Sequence, residues 1–158
     1  MLSKKKRLQL IAGDWTASEI SIVYKRGIQH GSPIETVMDA QNHIRRLWSN
    51  ELINLQEQLV AFYFNRAGKL IGHRLISTGS MISCTIDTKL IVSLALHSMA
   101  CSVIIGHNHP SGVLIPSDAD KDFTRQLKAA LSLIDVNLLD SFIITERGFL
   151  SFANKSWI

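Results

Sequence analysis

The run Cys101-Ser102-Val103-Ile104-Ile105-Gly106-His107-Asn108-His109-Pro110-Ser111-Gly112 continues to Pro116-Ser117-Asp118-Ala119-Asp120. Its apolar first half, bounded by Gly106, reads as a buried strand. Alternate residues of an extended chain point to the same side. His107 and His109 therefore aim their imidazoles at one place, and Asn108 faces away. Pro110 and Gly112 turn the chain. Pro116-Ser117 then signals a helix that carries Asp120 in its first turn, with Ser117-x-x-Asp120 spelling a capping box.

Two imidazoles and one carboxylate are a common ligand set for a catalytic zinc, which keeps a fourth position open to water. A structural zinc is more often closed by four ligands rich in cysteine. No CxxC occurs here, and Cys84 and Cys101 stand far apart. The pattern therefore suggests an open metal site. His-Asn-His also spells the name of a nuclease motif, but the separate hairpin and helix of that family do not accompany it.

The combination H-x-H-P followed by S-x-x-D resembles the signature of the JAMM (MPN-plus) metallopeptidases. The wider context, His107-Asn108-His109-Pro110-Ser111-Gly112 with Pro116-Ser117 and Asp120, then a T..L..A..L pattern and Leu138-Leu139-Asp140, is similar to the bacterial RadC-like branch. The resemblance runs from about Gln56 to the C-terminus. It implies an α/β fold, a JAMM/MPN-like (cytidine-deaminase-like) sandwich with a mixed β-sheet flanked by helices.

Composition agrees with a globular protein: hydrophobic residues make up 46% and charged residues 19% of 158 residues. That length suits one domain with a substantial core. No apolar run approaches the roughly 18 residues needed to cross a bilayer, and Leu8 to Ala12 is too short for a signal sequence. The cysteines do not form a disulfide framework. A cytoplasmic setting is expected. The net charge of +4 permits an anionic partner without requiring one. Lys4-Lys5-Lys6-Arg7 is the dense basic run, and it has no interleaved aromatic residues.

In chain order, residues 1–55 form an N-terminal extension packed on the main domain, residues 56–158. The extension holds a short element at Leu8–Ile11, an edge strand over Glu19–Tyr24, and a helix. That helix is capped by Thr36 or Ser32 and carries Met38, Ile44, Leu47 and Trp48, the tryptophan as packing. Glu57 to Phe64 is a buried-strand run, Asn65 to Gly68 a turn, and Lys69 to Ser77 the returning strand. Met81–Thr85 reads as a short strand, and Asp87–Met99 as a helix. Asp118–Leu133 is a second helix with Phe123, Leu127, Ala130, Leu131 and Ile134 on one face. Val136–Thr145 and Phe149–Phe152 complete a hairpin.

A hydrolytic metal site needs a group that takes a proton from water and passes it to the leaving group, and glutamate suits this. Glu51, Glu57, Glu146, Glu19 and Glu35 are all candidates, and spacing does not choose among them. The RadC-like resemblance implies Glu57, which heads an apolar strand as the family's glutamate does. It also implies His107, His109 and Asp120 as zinc ligands and Ser117 as the oxyanion-supporting donor. Asn108 and Ser111 would shape the loop and line the cleft. Asp140 matches the family's Leu-Asp-His, with Ser141 standing where the histidine would be.

The leading expectation is thus a zinc-dependent peptidase or isopeptidase. The absence of HExxH excludes a zincin, and the absence of HxE…PCxxC excludes a zinc deaminase. The other expectation is a nucleic-acid or protein binding module, since RadC-like proteins carry a DNA-repair label. Any DNA binding would be weak and salt-sensitive, through the basic N-terminus. Edge strands would admit a homodimer.

Overall fold

Apolar runs that are separate in sequence become neighbouring strands of one mixed sheet. The computed structural model describes residues 37–48, 52–79 and 87–158. The elements expected at residues 8–11, 19–24 and 81–85, the alternative caps Ser32 and Thr36, and the basic run Lys4–Arg7 lie outside those residues. The elements are α1 (Val37–Leu47), β1 (Gln58–Phe64), β2 (Leu70–Thr78), α2 (Thr88–His97), β3 (Ser102–Asn108), α3 (Asp118–Ser132), β4 (Asn137–Ile144) and β5 (Phe149–Ser151). The five-stranded sheet runs β2-β1-β3-β4-β5. β1 is antiparallel to β2 and β3, β3 is parallel to β4, and β4 is antiparallel to β5.

The inner strands are covered on both faces, which is why they read as unbroken apolar runs. Leu59, Ala61 and Tyr63 of β1 join Val103 and Ile105 of β3 beneath α2 and α3, which contribute Ile91, Ala95, Leu127 and Leu131. The alternate residues Val60, Phe62, Phe64 and Ile104 join Phe142 and Ile144 on the opposite face. There they meet Ala40, Ile44 and Trp48, spaced to lie on one side of the chain in and just after α1. Fully burying a side chain such as Phe62 or Ile44 contributes about 1.5–3 kcal/mol. The two faces are thus separate cores either side of one sheet.

Gly106 shows why α1 can come so close. A Cβ there would stand 3.3 Å from Ile44 Cγ2 and 3.5 Å from both Ile144 Cδ1 and Trp48. On the other flank, β2 is an edge strand and is largely half-buried or exposed. The β1–β2 turn is built locally. Asn65 Oδ1 accepts from the Ala67 and Lys69 amides at 3.0 Å, and Gly68 takes a left-handed φ of 71°.

β4 carries two polar tethers. The Asp140 carboxylate accepts from the Ser141 amide at 2.7 Å, the Ala153 amide at 3.0 Å and the Ser151 hydroxyl at 2.5 Å, fixing the C-terminal turn to the sheet. Thr124 of α3 donates to Ser141 Oγ at 3.2 Å. Ser141 therefore braces α3 one helical turn beyond Asp120. Among the described residues, no helix is long and apolar enough to cross a membrane.

Candidate metal centre

The site forms where β3 ends and α3 begins. His107 shares a strand face with Val103 and Ile105, so it points toward the α3 side of the sheet. His109 lies just past the strand end and points the same way. Its amide donates to the Ile144 carbonyl at 2.9 Å, which continues the β3–β4 pairing. The chain then turns through Gly112, whose φ is 75°, and re-enters as α3. The Ser117 cap places Asp120 in the first turn of that helix, where the exposed N–H groups favour a carboxylate.

Three side chains meet there. His107 Nε2 is 3.0 Å from His109 Nε2 and 3.2 Å from Asp120 Oδ1, and His109 Nε2 is 3.6 Å from Asp120 Oδ2. Among the described residues, this trio is the group of His, Cys, Asp or Glu able to hold a metal ion, with ligand atoms within 4.8 Å of one another. His107 and Asp120 are buried, at 3% and 2% exposure, and His109 is half-buried.

The donor chemistry fits a divalent cation. His109 Nδ1 lies 2.8 Å from the Val113 carbonyl. It must carry the proton there, so the neutral ring presents its Nε2 lone pair to the trio. That lone pair faces a second imidazole nitrogen and a carboxylate, an arrangement that concentrates electron density and calls for a cation. Tetrahedral zinc with Zn–N near 2.0–2.1 Å separates its ligand atoms by about 3.3 Å. The three separations bracket that value.

Without a metal, protons on the imidazole Nε2 atoms take the cation's place beside Asp120. Burial pushes the Asp120 carboxyl up, but hydrogen bonds to His107 and His109, the charge of His107 and the Ser117 hydrogen bond outweigh it. The result holds Asp120 well below the usual carboxylate range. His109 is raised above 6.5, first by its hydrogen bond with Asp120. Burial opposes this, and the Val113 carbonyl and the charges of Asp120 and Glu57 add to it.

Spacing left five glutamates open, and the β1–β3 register bears on one of them, Glu57. Leu59 pairs with His107. Continued two residues back, past the start of β1, and two forward, past the end of β3, that register brings Glu57 level with His109. Glu57 is half-buried there. Glu146, in contrast, is exposed at the β4–β5 turn, where it accepts from Asn54 Nδ2 at 3.0 Å. Glu19, Glu35 and Glu51 lie outside the described residues.

Ser117 meets Asp120 directly. Its hydroxyl lies 2.7 Å from Asp120 Oδ2, its amide donates to the same oxygen at 2.7 Å, and its Oγ accepts from the Asp120 amide at 3.1 Å. In this geometry Ser117 orients Asp120. Ser111 is exposed in the loop, and its Oγ accepts from the Val113 amide at 3.4 Å.

Asn108 departs from the expectation that it lines the cleft. It faces α1 and is fully buried, at 0% exposure. Its Oδ1 accepts from Trp48 Nε1 at 2.9 Å and from the Gln58 amide at 2.8 Å. Its Nδ2 donates to the Ile53 and Gln56 carbonyls, both at 2.8 Å. The strand alternation that turned it away from the histidines also removed it from solvent. Trp48, read as packing, supplies one of these bonds. The signal that could have paired them is the presence of a buried-strand asparagine and a helical tryptophan that each need a partner.

The chain is 31% identical over 158 residues to a UPF0758 protein of Vibrio parahaemolyticus, covering 99% of this chain and 67% of that one. It is 48% identical over 96 residues to a UPF0758 protein of Neisseria meningitidis serogroup B, covering 61% of this chain and 43% of that one. A UPF0758 protein of Flavobacterium johnsoniae is 37% identical over 99 residues, of which 43% of its length is covered. The chain therefore matches at most about two thirds of the length of these relatives. The RadC-like JAB domain matches residues 34–157, starting ahead of α1. A match over so much of the chain shows that it belongs to the RadC-like JAB domain family.

Proposed function

We propose that the chain is a zinc-dependent hydrolase of the JAMM type, cleaving an amide or isopeptide bond. The observation that carries this reading is the convergence of His107, His109 and Asp120, with Glu57 level with His109 in the strand register. His107 and His109 through Nε2, and Asp120 through its carboxylate, would hold the metal. Zinc held there supplies Lewis acidity and makes water a nucleophile near neutral pH. Glu57 takes a proton from the attacking water and delivers it to the leaving nitrogen, so that water adds across the C–N bond and an acid and an amine result. Such proton transfer contributes roughly 10²–10⁴-fold to rate. Ser117 keeps the Asp120 carboxylate aimed at the metal. Turning its hydroxyl to the substrate would let it donate to the oxygen that gains charge during attack.

The test is hydrolysis of a panel of peptides and of lysine isopeptides by the zinc-loaded chain. Cleavage that a chelator stops, and that Glu57→Gln abolishes while zinc stays bound, is the expected result. Undiminished cleavage by Glu57→Gln would remove it as the base, and no cleavage across the panel would count against the hydrolase.

A further inference from the structure

Asn108 stands between two metal ligands and serves neither. A buried polar side chain in a central strand is costly unless every hydrogen-bonding group is matched. Asn108 meets that condition in full: both amide hydrogens and both lone pairs of its oxygen are engaged. The identity of the partners matters more than their number. Two of them, the Gln56 carbonyl and the Gln58 amide, are the peptide groups on either side of Glu57. The other two are Trp48, just beyond α1, and the Ile53 carbonyl in the turn before β1.

The geometry points to Asn108 as the positioning residue that holds Glu57 against His109, a role that rests on Glu57 acting as the base proposed above. The backbone pairing of β1 with β3 ends at Leu59 and His107. Beyond it, the Asn108 side chain takes over and grips the backbone before and after Glu57. One three-residue segment thus presents metal ligands on one face and fixes the neighbouring carboxylate from the other. Trp48, just beyond α1, extends the grip toward that helix.

The test compares the native full chain with Asn108→Asp and Trp48→Phe, each supplied with one equivalent of zinc. Asn108→Asp keeps size and both acceptor contacts but loses the donors to Ile53 and Gln56. Backbone amide exchange and zinc content are read together. The expected result is exchange at residues 56–58 faster by about tenfold or more, on the scale of the two lost hydrogen bonds. Protection in β3 and α3 and one bound zinc should be retained. Unchanged exchange at 56–58, or equal acceleration across the domain, would overturn the proposal. If Asn108→Asp does not fold, Trp48→Phe decides by the same criterion.

Turnover gives the functional arm. A displacement of about 1 Å can cost about 100-fold in rate. Asn108→Asp should therefore lower kcat by about that factor with KM unchanged, and should add nothing in the Glu57→Gln background. A further loss in that background would contradict action through Glu57. If the native chain hydrolyses nothing in the panel, the hydrolase reading fails, while the exchange arm still decides whether Asn108 places Glu57.

Discussion

Leu59 and His107 face each other across the β1–β3 ladder, and this pairing sets Glu57 beside His109. The carboxylate comes from one strand and the imidazoles from another, so their relation is a matter of register. A slip of one residue would turn Glu57 to the opposite face of the sheet. Register is in turn held by the two cores, since each face of β1 and β3 carries its own set of buried side chains.

Ser117→Ala tests how Asp120, the proposed metal ligand, is oriented. The change removes the cap of α3 and the hydroxyl 2.7 Å from Asp120 Oδ2, leaving the Ser117 amide on that oxygen. Loss of such a cap costs about 1 kcal/mol, read by urea denaturation of the zinc-free protein. Loss of a bond that orients a metal ligand weakens metal binding by roughly 10–100-fold, read by competition with a chromophoric chelator. Unaltered zinc affinity would show that the backbone contact alone suffices.

The pH dependence should differ with and without zinc. Because His109 is raised above 6.5, chiefly by its hydrogen bond with Asp120, it keeps its proton to higher pH than an ordinary imidazole. Zinc competes with that proton. Zinc affinity should fall as pH is lowered through the raised His109 pKa, beginning above 6.5. Asp120 is held low and stays ionised throughout. Without zinc the sign reverses. The raised group stabilises the fold fully below its unfolded pKa and loses that contribution as pH rises through the folded value. Calorimetric zinc titrations and melting of the zinc-free protein across this window should therefore show opposite trends.

Gly106→Ala tests the seating of α1. The added methyl would stand 3.3 Å from Ile44 Cγ2, so the Ile44 side chain must give by a few tenths of an ångström. Overpacking of this kind costs about 1–3 kcal/mol. The denaturation midpoint should fall by the corresponding amount. An unchanged midpoint would show that α1 yields freely.

Much of this was legible in the residues themselves. The apolar runs before Asn65 and before His107 correctly marked β1 and β3, because strands buried on both faces need little else to declare them. Ser117 and Asp120 announced the start of α3 through local capping chemistry. The alternation of His107, Asn108 and His109 correctly put the histidines on one side and Asn108 on the other. What lay beyond local sequence was the choice among glutamates and the destination of Asn108. Both depend on distant segments: Glu57 comes level with His109 through strand register, and Asn108 bonds Trp48 through a helix packed over Gly106. No periodicity records such a pairing. The family resemblance implied Glu57, and the asparagine, expected to line the cleft, is buried against Trp48 instead.

The central claim is a metal held by His107, His109 and Asp120, and metal content per chain tests it most directly. The native protein, His109→Ala and Asp120→Ala would be purified after zinc supplementation and measured by plasma mass spectrometry. The account predicts about one zinc per native chain, the stoichiometry of an open three-ligand site, and its loss in both variants with the fold retained by circular dichroism. Native protein that takes up no stoichiometric metal, or variants that keep it, would contradict the account.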